Sequence, residues 1–273
     1  MMTRHTFLTE TRRIAESIDG AEYPQAAGCL AAVLEGGGPV DGDLCELASI
    51  LAECDRPKRL PAPLAAFIVA IYELEIDAGN PRAMNDLGAL YYGGDRGFEQ
   101  DFTKAVRLYR MAAERGERHA QENLGYCYYY GRNMERDYEK AFHYFALGAF
   151  DGRLISLYKI GDMYLNGYYV ERNEAEAFAI YNRCLELMDD EQGKDVAGPV
   201  HLRLGDMYLR GLGTEPDPEQ ALLHYSLAEI MLFKMVKDGD YMYKKSLRSA
   251  VEGQERARSM LAGLLPGDEW TFE

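Results

Sequence analysis

The feature that most constrains this chain is that it repeats itself. Four segments superpose, DLGALYYGG, NLGYCYYYG, KIGDMYLNG and RLGDMYLRG, and each is followed by a second conserved-length stretch: DFTKAVRLYR, DYEKAFHYFA, NEAEAFAIYN and DPEQALLHYS. One glycine recurs at Gly88, Gly125, Gly161 and Gly205, in steps of 37, 36 and 44. An alanine recurs at Ala105, Ala141, Ala177 and Ala221, in steps of 36, 36 and 44, with an aromatic four residues on at Tyr109, Phe145, Tyr181 and Tyr225. A period of this length is the mark of stacked supersecondary units, because a single unit cannot bury its own apolar face. The long last step carries eight extra residues, assigned to DDEQGKDVAGP between Met188 and Val200.

Each recurring residue type has a physical task. Glycine inside a helix costs about 1 kcal/mol relative to alanine, so its return at four equivalent positions implies a close neighbour there. Ala105 and its equivalents offer the matching small surface. Tyr91, Tyr128, Tyr164 and Tyr208 lie three residues after the glycines, on the same helix face, and fill the space between helices with ring area. Gly93, Gly131, Gly167 and Gly211 end the first helix of each pair. Asp101, Asp137, Asn173 and Asp217 then cap the second helix, with Glu176 and Gln220 placed to complete capping boxes and Pro218 at the first helical position.

The succession Ala83, Leu87, Gly88, Tyr91, Gly93, Asp101, Lys104, Ala105, repeated as Ala120, Leu124, Gly125, Tyr128, Gly131, Asp137, Lys140, Ala141, resembles the Sel-one-like repeat family. These are relatives of tetratricopeptide repeats with a longer loop between the two helices. The third and fourth copies depart from the pattern, with Glu176 and Gln220 in place of lysine and Ser156 and Val200 in place of alanine. The resemblance implies an all-α fold, a right-handed α/α superhelical solenoid of helix-turn-helix units.

Four clear copies span roughly residues 83 to 230. Upstream, residues 63 to 78 read as a second helix and 43 to 54 as its diverged first helix; residues 5 to 35 add one or two capping helices, and the Gly-Gly-Gly-Pro at 36 to 39 is a loop. Residues 241 to 265 have helical periodicity without a repeat signature and read as a terminal cap. The resulting organisation is N-terminal helices with a degenerate first repeat over 1–62, the solenoid over 63–235, and a capping helix and tail over 236–273.

Composition narrows the partners. A formal charge of −15 repels phosphate backbones and anionic lipid, which disfavours nucleic acid and favours a basic protein or peptide. The N-terminus lacks the apolar run of a secretory signal, no window is long and apolar enough to span a membrane, and five irregularly spaced cysteines read as reduced, small hydrophobes. These features place the chain in a reducing cytoplasm. No Gly-rich phosphate loop, no Cys-x-x-Cys and no histidine pair at metal-ligand spacing occurs, so neither cofactor nor metal is expected.

In the tetratricopeptide relatives the first helices line the inner, concave surface, and the resemblance implies the same arrangement here. The inward positions then fall three before, one after, and four or five after each repeat glycine. The candidate groove residues are Asn85, Tyr92, Glu122, Tyr126, Tyr129, Tyr130, Tyr158, Asp162, Asn166, Asp206 and Arg210. Tyrosines join apolar area to a polar tip, which suits recognition, though such rings can equally pack between repeats. Asp162 and Asp206 both follow a repeat glycine directly and read either as solvent-facing carboxylates or as ligand contacts. The resemblance implies a non-catalytic adaptor that holds a protein or peptide segment. An alternative is a binder of carbohydrate or peptidoglycan fragments. A third is a β-lactamase-like hydrolase, as linked to Cys-rich relatives; here only Cys127 and Cys184 lie in the clear repeats, at non-equivalent positions, and no Ser-x-x-Lys motif exists.

Overall fold

The computed structural model describes residues 4–36, 44–55, 59–94, 96–188 and 193–264. Every regular element among them is helical. The chain divides into two units, Met1–Asp137 and Tyr138–Glu273, each with its own stack of antiparallel helices.

The first unit contains α1 (Arg4–Ser17), α2 (Pro24–Leu34), α3 (Leu44–Glu53), α4 (Ala62–Asp77), α5 (Pro81–Gly93), α6 (Phe102–Ala113) and α7 (Arg118–Tyr130). The helices expected over 5–35, 43–54 and 63–78 are all present, with α3 packed on α4 and α1 on both α2 and α4. The loop expected at 36 to 39 lies outside the described residues apart from Gly36. Asp55 turns back to cap α2, accepting from the Gln25 and Ala26 amides at 3.2 and 3.0 Å, a long-range cap invisible in the sequence.

The second unit contains α8 (Tyr138–Phe150), α9 (Leu154–Asn166), α10 (Glu174–Leu187), α11 (Lys194–Arg210), α12 (Pro218–Lys237) and α13 (Lys244–Leu264), the last preceded by a short 3-10 turn over Tyr241–Tyr243. Its core joins α9, α10 and α11 through Tyr158, Ala177, Tyr181, Cys184, Val200, Leu204 and Met207. A second cluster joins α12 and α13 through Tyr225, Ala228, Leu232, Ala250 and Ala257. The C-terminal helix thus covers the last apolar face of the repeats.

The repeat residues form the interlocks that spacing implies. A side-chain carbon on Gly88, Gly161 or Gly205 would lie 2.8, 2.7 or 2.8 Å from the ring of Tyr109, Tyr181 or Tyr225, so the close neighbour is the tyrosine of the paired helix. Tyr164 and Tyr208 reach the other way, meeting Phe142 and Phe178 of the preceding repeat edge-on at 6.3 and 5.3 Å between ring centres.

Three details differ from the sequence expectation. In the first copy the left-handed helix stop is Gly94, six residues after Gly88 as in the other copies, and Gly93 is the last helical residue. The capping boxes of Glu176 and Gln220 do not form. Asn173 and Asp217 accept from the amides of Glu176 and Gln220 at 3.0 Å, but their own amides donate to the carbonyls of Tyr164 and Tyr208, each at 2.9 Å. Asp101 and Asp137 donate in the same way to Tyr91 and Tyr128 at 2.8 and 3.1 Å. Finally, the stretch expected as a loop before Val200 is helical from Lys194, which lengthens α11 to 17 residues with Pro199 inside it. Pro199 is the sixth residue of α11, past the four amides that lack an intrahelical acceptor, so the helix forgoes one backbone hydrogen bond there.

All five cysteines are free thiols, four of them buried. Burial pushes Cys127 and Cys184 up to about 12, as expected of small hydrophobes. Cys29 and Cys54 approach to 3.7 Å between sulfurs.

Candidate functional site

The eleven candidate groove residues fall into two groups, one in each unit. Those three residues before a repeat glycine are buried: Asn85, Glu122 and Tyr158. Asn85 accepts from Asn123 at 2.9 Å and donates to Asp86 at 3.0 Å, tying α5 to α7. Residues four or five after the glycine stand at the ends of the first helices and reach solvent, exposed at Tyr130, Asn166 and Arg210 and half-buried at Tyr92 and Tyr129.

In the first unit these ends form an aromatic patch. Tyr126 and Tyr130 stack with ring centres 6.2 Å apart, and Tyr129 meets Tyr130 edge-on at 4.9 Å. Tyr92 of α5 packs edge-on against Phe102 of α6 at 5.3 Å. The Arg132 guanidinium connects the two sets, 4.9 Å from the centre of Phe102 and 5.7 Å from that of Tyr130. Burial, opposed by the hydrogen bond from Arg132, raises the Tyr92 phenol above its ordinary value. Rigid, partly exposed rings around a cation present large contact area with little rotamer freedom to lose.

In the second unit the two carboxylates that directly follow a repeat glycine make the same internal bond. Asp162 accepts from the Tyr181 hydroxyl at 2.8 Å, and Asp206 from the Tyr225 hydroxyl at 2.6 Å. Asp206 is half-buried, whereas Asp162 is 2% exposed and lies between two cations, Arg203 Nε at 2.9 Å and Lys159 Nζ at 3.2 Å. Burial alone would raise its carboxyl; Arg203 and Lys159, with the hydrogen bonds, outweigh that and hold it below the usual range. Lys159 also sits 4.7 Å over the centre of the Tyr158 ring. Asp162 is therefore spent on the interior, and Asn166 lies one turn on, donating to the Asp162 carbonyl at 2.6 Å.

One arrangement had no sequence signal. His201 of α11 and His224 of α12 approach to 2.9 Å between their Nδ1 atoms, and the Tyr208 ring stacks on His224 at 5.4 Å. One Nδ1 must carry a proton and the other accept it, so the bond needs at least one neutral ring. Burial first, then the neighbouring imidazole, lowers His201 to about 4, and burial lowers His224. No cluster of three or more candidate metal ligands occurs among the described residues.

Comparison with known proteins agrees with this geometry. Residues 81–117, 118–149, 154–183 and 200–229 match the Sel1 repeat. The fold resembles a protective antigen of uropathogenic Escherichia coli with an SLR fold, at a TM-score of 0.53 and 22% identity over 93% of this chain and 56% of that one. It also resembles a Sel1 repeat protein from Oxalobacter formigenes, at a TM-score of 0.54 and 23% identity over 80% of this chain and 86% of that one. A stretch of 61 residues is 39% identical to the ERAD-associated E3 ubiquitin-protein ligase component HRD3A of Arabidopsis thaliana, covering 22% of this chain and 9% of that protein. The chain thus spans about half of the antigen and a small part of the ligase component. Periodic glycines, tyrosine interlocks and matched segments together make this chain a Sel1-like repeat protein of the all-α, α/α solenoid class.

Proposed function

We propose that the chain is a non-catalytic scaffold that holds a segment of another protein against the ends of its first helices. The observation that carries this reading is the partly exposed cluster of Tyr126, Tyr129 and Tyr130 at the end of α7, a ready-made set of rigid anchors. Its likeness to Sel1 repeats and to a ubiquitin-ligase component, by name a part of a larger assembly, supports a role in holding proteins together.

The partner segment is apolar or proline-rich and carries Arg or Lys, matching a chain of net charge −15. In the first unit it touches Tyr92, Tyr126, Tyr129 and Tyr130, while Asn85 and Glu122 hold the helices beneath. The second unit offers its own set of contacts, Asn166, Asp206 and Arg210, with Tyr158 and Asp162 supporting them from within. Binding takes place in a reducing cytoplasm, with a partner that is not nucleic acid.

The test replaces Tyr129 and Tyr130 together by serine, after circular dichroism has shown unchanged helicity. Affinity capture from lysate, quantified by mass spectrometry, is expected to lose its specific partners by about tenfold or more. Equal capture by both proteins rejects this face.

A further inference from the structure

The second unit carries an apolar surface that the repeats do not use. Helix α12 runs 20 residues, against 12 to 14 for α6, α8 and α10, and its inner face packs on α11 and α13. Its outer face shows Leu223, Ile230 and Phe233 at 50%, 68% and 59% exposure, with Leu227 half-buried between them. At 100° per residue these four side chains fall on one stripe. The same stripe continues into exposed Glu219 at its N-terminal end and exposed Lys234 and Lys237 at its C-terminal end. None of these three charges has an ion-pair partner among the described residues.

An acidic start, an apolar middle and a basic finish make a surface complementary to itself when reversed. We propose that α12 is the interface of a two-fold symmetric dimer, in which the α12 helices of two copies of this chain pack antiparallel about an axis beside Leu227. In that register Leu223 of one copy meets Ile230 and Phe233 of the other, and Leu227 meets its own equivalent. Glu219 of each copy falls opposite Lys234 and Lys237 of the other, so the axis that aligns the apolar residues also pairs the charges. An isologous contact of this kind closes on itself and leaves no stripe exposed. A single helix pair is a small interface, so the dimer forms in the micromolar range rather than the nanomolar.

The inference is independent of the partner-binding reading, since no residue of this stripe is among the partner contacts. The experiment is sedimentation equilibrium of the full chain across the micromolar range. The wild type is expected to reach a dimer, and Ile230→Glu to weaken it by roughly a hundredfold while leaving the circular dichroism melt unchanged. Glu219→Lys alone, and Lys234→Glu with Lys237→Glu, should each weaken the homodimer roughly tenfold. Mixed together, those two variants should form a heterodimer of wild-type affinity, because each end of the antiparallel pair is again acid against base. A wild type that stays monomeric, an Ile230→Glu variant that still dimerises, or a mixture that fails to pair overturns the proposal. So does a monomer that binds phosphatidylserine vesicles through the same stripe, which would assign it to a bilayer instead.

Discussion

Substituting Asp162 by alanine removes the buried anion that Lys159 Nζ and the half-buried Arg203 Nε share. Breaking a buried ion pair from one side is far more damaging than losing a surface pair, and the expected loss is about 3 kcal/mol in urea unfolding. Asp206→Ala, which removes a single hydrogen bond at a half-buried site, should cost about 1 kcal/mol. Equal losses would mean that the cations escape to water. The histidine pair sets a second expectation. His201 titrates near 6.5 when unfolded and near 4 when folded, so the unfolded chain binds the extra proton between those values. The associated stability is complete above pH 6.5 and is lost as pH falls toward 4, about 2 kcal/mol of it by pH 5. Comparing unfolding at pH 7.5 and pH 5 for wild type and His201→Phe checks this; an identical pH dependence in both would exclude His201 as its source. Neither feature could be read from the sequence in full. The two GDMYL segments marked Asp162 and Asp206 as equivalent, but only packing shows that Lys159 and Arg203 enclose one and not the other. His201 and His224 lie 23 residues apart on different helices, a separation that no motif records.

Among the elements, the second helices owe their starts to a few polar side chains. Asp217 accepts from two amides of α12 at 3.0 Å, and Asp217→Ala should lower stability by about 1–2 kcal/mol, measured by denaturant midpoint. Gly161→Ala drives a methyl group into the Tyr181 ring and is expected to cost about 1–3 kcal/mol, while Gly263→Ala, with open space around it, should be neutral or stabilising. A Gly161→Ala protein that melts with the wild type would show the ring free to move aside. Helix existence was legible because each repeat states its apolar spacing four times over. Element boundaries were less so: Gly93 and Gly94 offer two adjacent stops, and only the backbone angle of Gly94, φ 63°, selects between them. The early start of α11 went unread because Gly198 and Pro199 signal a loop, yet both are buried within the helix, where packing outweighs their poor helical propensity.

At the scale of the whole molecule, repeats of this kind are stabilised by nearest neighbours, and the last one depends on its cap. Removing residues 238–273 would uncover Tyr225, Ala228 and Leu232, which α13 covers through Ala250 and Ala257. The expected outcome is a lower melting temperature with increased binding of an apolar dye; an unchanged melt would show that α13 is dispensable. The repeat count and the terminal cap were legible because both follow from the need to bury an apolar face at each level. The oligomeric partner of α12 was not, since an exposed stripe and a buried one have the same spacing. The bond from each second helix's cap amide to the tyrosine carbonyl of the first fastens both ends of every hairpin loop. Changes of length inside a hairpin would have to undo that fastening; the junctions before α5, α7 and α9 carry their own, from the Asn80, Glu117 and Arg153 amides to the carbonyls of Glu75, Ala112 and Gly148, each at 3.0 Å. The eight additional residues before the fourth repeat sit at the junction before α11, and future insertions or tags are best tolerated there.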